Sequence, residues 1–114
     1  MDCIFCKIIR GETPSKKAYE DDLMLIFEDV SPKAKLHYLA VPKHHYALID
    51  QMNAQDQADI GYILRKIAKL KNILGLNDGY RLTINQGENA GQSVHHLHIH
   101  IMGGQTLDWP DYRK

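Results

Sequence analysis

The sequence predicts an α+β fold: an antiparallel sheet of about five strands, one long helix and a short N-terminal helix. Three observations predict it. His96, His98 and His100 alternate with Leu97, Ile99 and Ile101, which is the period of a strand with imidazoles on one face and aliphatics on the other. Ile60, Ile63, Leu64, Ile67, Leu70 and Leu74 form an apolar stripe at helical spacing. The remaining apolar runs are short and are punctuated by turn residues such as Asp21-Asp22, Ser31-Pro32 and Asn77-Asp78-Gly79.

Taken in order, residues 3–10 read as a short helix, because Ile4 and Ile8, and Phe5 and Ile9, recur at helical spacing before Gly11 and Pro14. Lys17 to Glu20 is a short strand, Asp21-Asp22 a turn, and Leu23 to Phe27 a second strand. His37 to Val41 is a strand that stops at Pro42, with His37, Leu39 and Val41 on one face. The long helix is predicted from Ala54 to Leu74, with Asn53 as N-cap and Gly75 as terminator. Arg81 to Asn85 is a strand, and the Gln86–Gln92 loop joins it to the histidine strand as a hairpin. No repeat, low-complexity segment or linker divides the chain, which reads as a single domain over residues 1–114.

Composition narrows the function. Lys plus Arg and Asp plus Glu are 14 each, so the formal net charge is zero, which argues against a nucleic-acid-binding surface. No run of about 18 apolar residues predicts a membrane span. The opening MDCIFCKIIRG lacks the apolar core of a signal peptide, so the expected location is cytoplasmic. Thiols stay reduced there, and Cys3-x-x-Cys6 therefore points to metal binding or redox work rather than a structural disulfide.

Three imidazoles on one strand face demand more than packing, since each ring brings two nitrogens that need partners. An imidazole serves as metal ligand, general acid/base or nucleophile, and the strand alone does not choose among them. The preceding loop bears on the choice. Gly87, Gly91 and Gln92-Ser93 can offer backbone N–H groups and a hydroxyl to phosphate oxygens, with the Asn85 amide just upstream. Attack on phosphorus requires a neutral imidazole whose other nitrogen holds the proton against an acceptor. Asp29 suits ribose hydroxyls, and equally suits the cap of a turn before Pro32.

The stretch Asn85-Gln86-Gly87 … Gly91-Gln92-Ser93-Val94-His95-His96-Leu97-His98-Ile99-His100-Ile101-Met102-Gly103-Gly104 resembles the histidine triad family. Ile4-Phe5-Cys6-Lys7-Ile8-Ile9, Phe27 to Pro32, His37 to His45 and Trp109-Pro110 extend the resemblance over nearly the whole chain and toward the Hint branch. It implies a HIT-like fold and a hydrolase that cleaves the P–N bond of purine nucleoside 5′-phosphoramidates, adenosine favoured. The related Fhit branch would give a dinucleoside polyphosphate hydrolase instead, but Met102-Gly103-Gly104 departs from that branch's ending. A nucleotide-binding regulatory protein is the third alternative, and a purely metal-binding module the fourth.

By the same resemblance, His98 is the nucleophile and His100 its phosphate-facing neighbour. Ser93 and the Gly91-Gln92 backbone contact phosphate or leaving group, and Asn85 holds the phosphate or ribose side. Asp29 takes the ribose hydroxyls, while Val30, Ile4, Phe5, Ile8 and Leu39 wall the base. His37 corresponds to an additional active-site histidine. Cys3, Cys6, His45 and His96 form the ligand set of a structural zinc site, which would remove His96 from catalysis. His95 is expected to point away from the triad face. The ligand would be an AMP-type nucleotide. The helix would lie at a two-fold homodimer interface, with Trp109 approaching the partner's site.

Overall fold

The computed structural model describes residues 3–108; Trp109 and Pro110 lie outside the described residues. Five strands form one antiparallel sheet in the order β1-β2-β3-β5-β4. They are β1 (Lys17–Glu20), β2 (Met24–Glu28), β3 (Leu36–Pro42), β4 (Tyr80–Thr83) and β5 (Ile99–Gly103). Helix α1 (Ile4–Ile9) precedes them and α2 (Ala54–Lys69) joins β3 to β4. The α+β fold with one long helix and a short N-terminal one is therefore the fold found.

Strand alternation divides the sheet into two faces. One face carries Met24, Ile26, Ala40, Ile99 and Ile101, which form a core with Ile63, Ile67, Leu74 and Leu76 from α2 and the turns after it. The other carries Leu25, Phe27, Leu39 and Val41, covered by Phe5 and Ile8 of α1. The register places His37 beside Met102, Leu39 beside His100, and Thr83 beside His100. α1 packs on the Leu25–Phe27–Leu39–Val41 part of that face, and the part around His37, His100 and Thr83 remains a cavity.

Helix α2 begins as its sequence demands. Asn53 accepts from the Asp56 N–H and Asp56 accepts from the Asn53 N–H, a reciprocal box that uses two donors the first turn leaves free. It ends sooner than Leu74. The chain leaves the helix at Leu70 and closes a further turn in which the Leu76 N–H reaches the Lys71 carbonyl at 2.7 Å. Gly75, at φ 78°, ends that turn rather than the helix. Leu64 lies off the buried stripe and is 39% exposed, because the seam against the sheet is set by Ile63 and Ile67.

The histidine segment is corrected in one respect. β5 starts at Ile99, so His96 and His98 precede the strand. β3 ends at Pro42, which has no N–H to continue the ladder. The Leu97 N–H turns instead to the Tyr46 carbonyl at 2.7 Å. The segment is nonetheless buried throughout, with His96 and Leu97 at 0% exposure. β4 likewise stops at Thr83, two residues short of the predicted Asn85.

Candidate active site and metal cluster

Each triad histidine has one ring nitrogen fixed by a neighbour, and the neighbours differ. His98 Nδ1 lies 2.7 Å from the His96 carbonyl. A carbonyl only accepts, so Nδ1 carries the proton and Nε2 keeps its lone pair. His98 is 7% exposed, and its ring meets Phe5 edge-on at 5.1 Å between centroids. His96 is reversed: its Nε2 lies 2.7 Å from the Pro42 carbonyl, which leaves the lone pair on Nδ1. Alternate residues of one segment thus present opposite ring nitrogens.

His100 belongs to a second cluster. Its Nδ1 is 2.9 Å from His37 Nε2, and Asp29 Oδ2 is 3.4 Å from the same His37 nitrogen. Burial holds His100 down at about 4, helped by the facing imidazoles of His98 and His37. Burial also lowers His37, and it outweighs the opposing pull of the Asp29 carboxylate. Asp29 receives the Ser31 N–H at 2.8 Å through Oδ1, so it caps the turn before Pro32 and still presents Oδ2 to the site. The two readings of Asp29 are compatible.

A cavity of about 250 Å³ opens here, lined by Asp29, Lys33, His37, Thr83, Asn85 and His100 among others. It brings Asn85 to the Asp29–His37–His100 group. Lys33, Thr83 and Met102 also line it, and none of them is given a site role from the sequence. Register would have found two of them, since Thr83 pairs with His100 and Met102 with His37.

The loop before the triad differs from the expected phosphate seat. The Gly91 N–H donates to the Glu88 carbonyl at 3.0 Å and the Gln92 N–H to the Gly87 carbonyl at 3.1 Å. Both amides close the loop on itself, so Gly91 and Gln92 do not offer them to an anion. The Gln92 side chain is a brace: Oε1 accepts from the Gly87 N–H at 2.8 Å, and Nε2 donates to the Ala47 carbonyl at 2.9 Å. This fixes the approach of Ser93, which is exposed and lines a neighbouring cavity with Cys3, Ile4 and Val94. His95 is exposed and lines that same cavity.

The candidate base wall is uneven. Phe5, Ile8 and Leu39 are packed together at 6%, 7% and 6% exposure and present only edges. Ile4 is 44% exposed and Val30 is 96% exposed, outside that cluster.

Cys3, Cys6, His45 and His96 converge, their ligand atoms within 4.8 Å of one another. The Sγ–Nδ1 separations are 3.5, 3.3, 3.3 and 3.6 Å, and His45 Nδ1 is 3.1 Å from His96 Nδ1. A tetrahedral zinc site has edges of about 3.6 Å between sulfur and nitrogen and about 3.3 Å between nitrogens. The donor set therefore fits zinc in both identity and spacing, and the His96 lone pair already faces its centre. Burial and the Cys3 thiol raise Cys6, so a cation is what would favour its thiolate. A metal here would tie the first turn of α1 to the loop after β3 and to the triad segment. Asp29, His37 and His100 are also close enough for a metal, but the Lys33 N–H occupies His37 Nδ1 and so leaves the proton of the neutral ring on Nε2, the nitrogen that faces the other two.

The buried neutral imidazoles predict acid sensitivity. His96 and His100 both drop from 6.5 to about 4, chiefly through burial. The unfolded chain binds protons below about pH 6.5 that the fold refuses, so stability is fully present above that value and is lost toward pH 4. Each group contributes a slope of up to about 1.4 kcal/mol per pH unit. Urea unfolding of metal-free protein is expected to shift to lower urea between about pH 7 and pH 5. An unchanged midpoint would contradict neutral burial of these rings.

A five-stranded antiparallel sheet with alternating histidines that lead into and enter its interior strand β5 defines a histidine triad protein. Comparison with known families agrees: residues 10–107 match the HIT domain. An uncharacterized HIT-like protein of Synechococcus elongatus is 47% identical over 109 residues, 96% of each chain. A HIT family hydrolase from Legionella pneumophila superposes with a TM-score of 0.89 at 41% identity, over 96% of this chain and 98% of that one. A histidine triad nucleotide-binding protein from Candida albicans gives 0.80 at 34%, covering 99% and 86%. A Zn-bound histidine triad family protein from Mycobacterium smegmatis gives 0.80 at 30%, covering 100% and 83%. The chain belongs to the HIT domain family and has the fold of its hydrolases and nucleotide-binding proteins. No helix among the described residues is long and apolar enough to cross a membrane.

Proposed function

We propose that this protein is a Hint-type hydrolase that cleaves the P–N bond of purine nucleoside 5′-phosphoramidates, adenosine favoured, through a nucleotidyl-histidine at His98. One observation carries the reading. His98 Nδ1–H is held by the His96 carbonyl at 2.7 Å, which orients the ring so that Nε2 is the nitrogen available to attack. That nitrogen forms a bond to the α-phosphorus as the P–N bond breaks, and the departing amine takes a proton from solvent, which the water of the next step returns. Water then attacks the nucleotidyl-histidine, releases the nucleoside monophosphate and restores His98.

The other groups divide the substrate. His100 and Asn85 face the phosphate, Asp29 takes the ribose hydroxyls, and Ser93 stands toward the leaving group. Phe5, Ile8 and Leu39 offer apolar edges to the base, with Ile4 and Val30 free to close over it. The adenosine preference rests on the branch resemblance. Cys3, Cys6, His45 and His96 would hold a structural zinc, supported by their spacing and by the Zn-bound relative. A homodimer through α2 is supported by Gly61. It lies mid-helix with nothing within 4 Å of where a Cβ would stand, although glycine there costs about 1 kcal/mol against alanine. The reduced-thiol chemistry of the cysteines fits a cytoplasmic protein.

Trapping tests the reading. Brief exposure to an adenosine 5′-phosphoramidate followed by mass spectrometry is expected to place a nucleotidyl mass on the peptide carrying His98. Nucleotidyl mass on another residue sinks the assignment. Faster turnover of a diadenosine polyphosphate moves the protein to the Fhit-type reading, and binding without turnover makes it a nucleotide-binding regulator.

A further inference from the structure

We infer that the backbone N–H of Lys33, acting through His37, fixes the tautomer of His100 so that its Nε2–H is presented as a neutral donor to the substrate phosphate. The chain of reasoning uses only donors and acceptors. The Lys33 N–H lies 2.9 Å from His37 Nδ1, and a peptide N–H can only donate. His37 Nδ1 must therefore accept, and the single proton of neutral His37 sits on Nε2. That Nε2–H points at His100 Nδ1, 2.9 Å away. His100 Nδ1 must accept in turn, which leaves the His100 proton on Nε2.

The relay also forbids a charge. Protonating His100 at Nδ1 would set two N–H groups against each other, and protonating His37 at Nδ1 would break its bond to Lys33. Both rings are thereby kept neutral beside the nucleophile. The charged and titratable groups facing the pair are Asp29 and Lys33 from the β2–β3 connection and His98 from the segment before β5. Asp29 shares the His37 Nε2–H at 3.4 Å and supports the same tautomer, since a carboxylate only accepts. His37 is thus a positioning residue and His100 the group that touches phosphate, an assignment that rests on the phosphoryl-transfer reading above.

Long-range proton–nitrogen NMR of the imidazoles reads this without substrate. In the parent protein, His37 and His100 are both expected as Nε2–H tautomers, with His100 staying unprotonated down to about pH 4. His37→Phe removes the donor and keeps the ring volume; His100 is expected to exchange tautomers and to titrate nearer the ordinary value of about 6.5. kcat/KM should fall on the order of 10²-fold and gain an acid limb in that range. His37→Gln, whose amide N–H replaces Nε2–H, should restore the tautomer and most of the rate. A parent His37 protonated on Nδ1, or a His100 unchanged in His37→Phe, overturns the inference. If the tautomers are as stated and the parent hydrolyses no phosphoramidate, the proposed function fails and this relay stands.

Discussion

Replacing His98 with alanine is expected to lower phosphoramidate turnover by on the order of 10⁴-fold or more, with nucleotide binding retained. The loss is large because the variant removes the bond-forming atom and not merely a contact. His98 is buried at 7% exposure, and its ring meets Phe5 at 5.1 Å, so its removal also leaves a small void. That void should cost about 1–3 kcal/mol of stability, which is not enough to unfold a domain of ordinary stability. Single-turnover kinetics, with calorimetric titration of AMP as the binding control, separate the two effects. Turnover at the parent rate would mean that another group attacks phosphorus.

Removal of zinc from the Cys3–Cys6–His45–His96 cluster is expected to have the second large effect. Protein purified without a histidine tag is expected to carry one zinc per chain, and Cys3→Ser, Cys6→Ser or His45→Ala each to lose it. A ligand that binds only the folded state adds about 4 kcal/mol when present a thousandfold above its Kd. For a domain of this size that corresponds to a Tm shift on the order of 15 °C on chelation. Helix α1 has six residues, too few to persist alone, and holds to the sheet through Phe5 and Ile8. Chelation should therefore raise amide exchange first in residues 3–10. Zinc content unchanged in Cys3→Ser would remove that thiol from the cluster.

Much of this fold was legible because its signals are periodic. The Ile63–Ile67 seam of α2, the Asn53 cap and the His37–Leu39–Val41 face follow from spacing alone. The convergence of Cys3, Cys6, His45 and His96 was legible only through family resemblance, since the two halves of the cluster are far apart in the chain. Three features were beyond spacing. Pro42 ends β3 and so withdraws strand pairing from His96 and His98, an effect transmitted between elements distant in sequence. The Gly91 and Gln92 amides looked free because a sequence does not show that a short turn consumes them. Lys33 and Thr83 enter the site through backbone position and register, neither of which leaves a compositional mark.

The strand order has a consequence for how this protein comes into being. β5 is late in the chain yet occupies an interior position, between β3 and β4. During synthesis β3 emerges first and waits through α2 and β4 before its neighbour exists. Until β5 inserts, the facing sides of β3 and β4 are open edges, the kind that recruit foreign strands. His37 meets His100 only at that last insertion, because they sit on β3 and β5. Closure of the sheet and assembly of the His37–His100 cluster are thus one event, and a nascent chain stalled before β5 is expected to lack that cluster and to aggregate through its open edges.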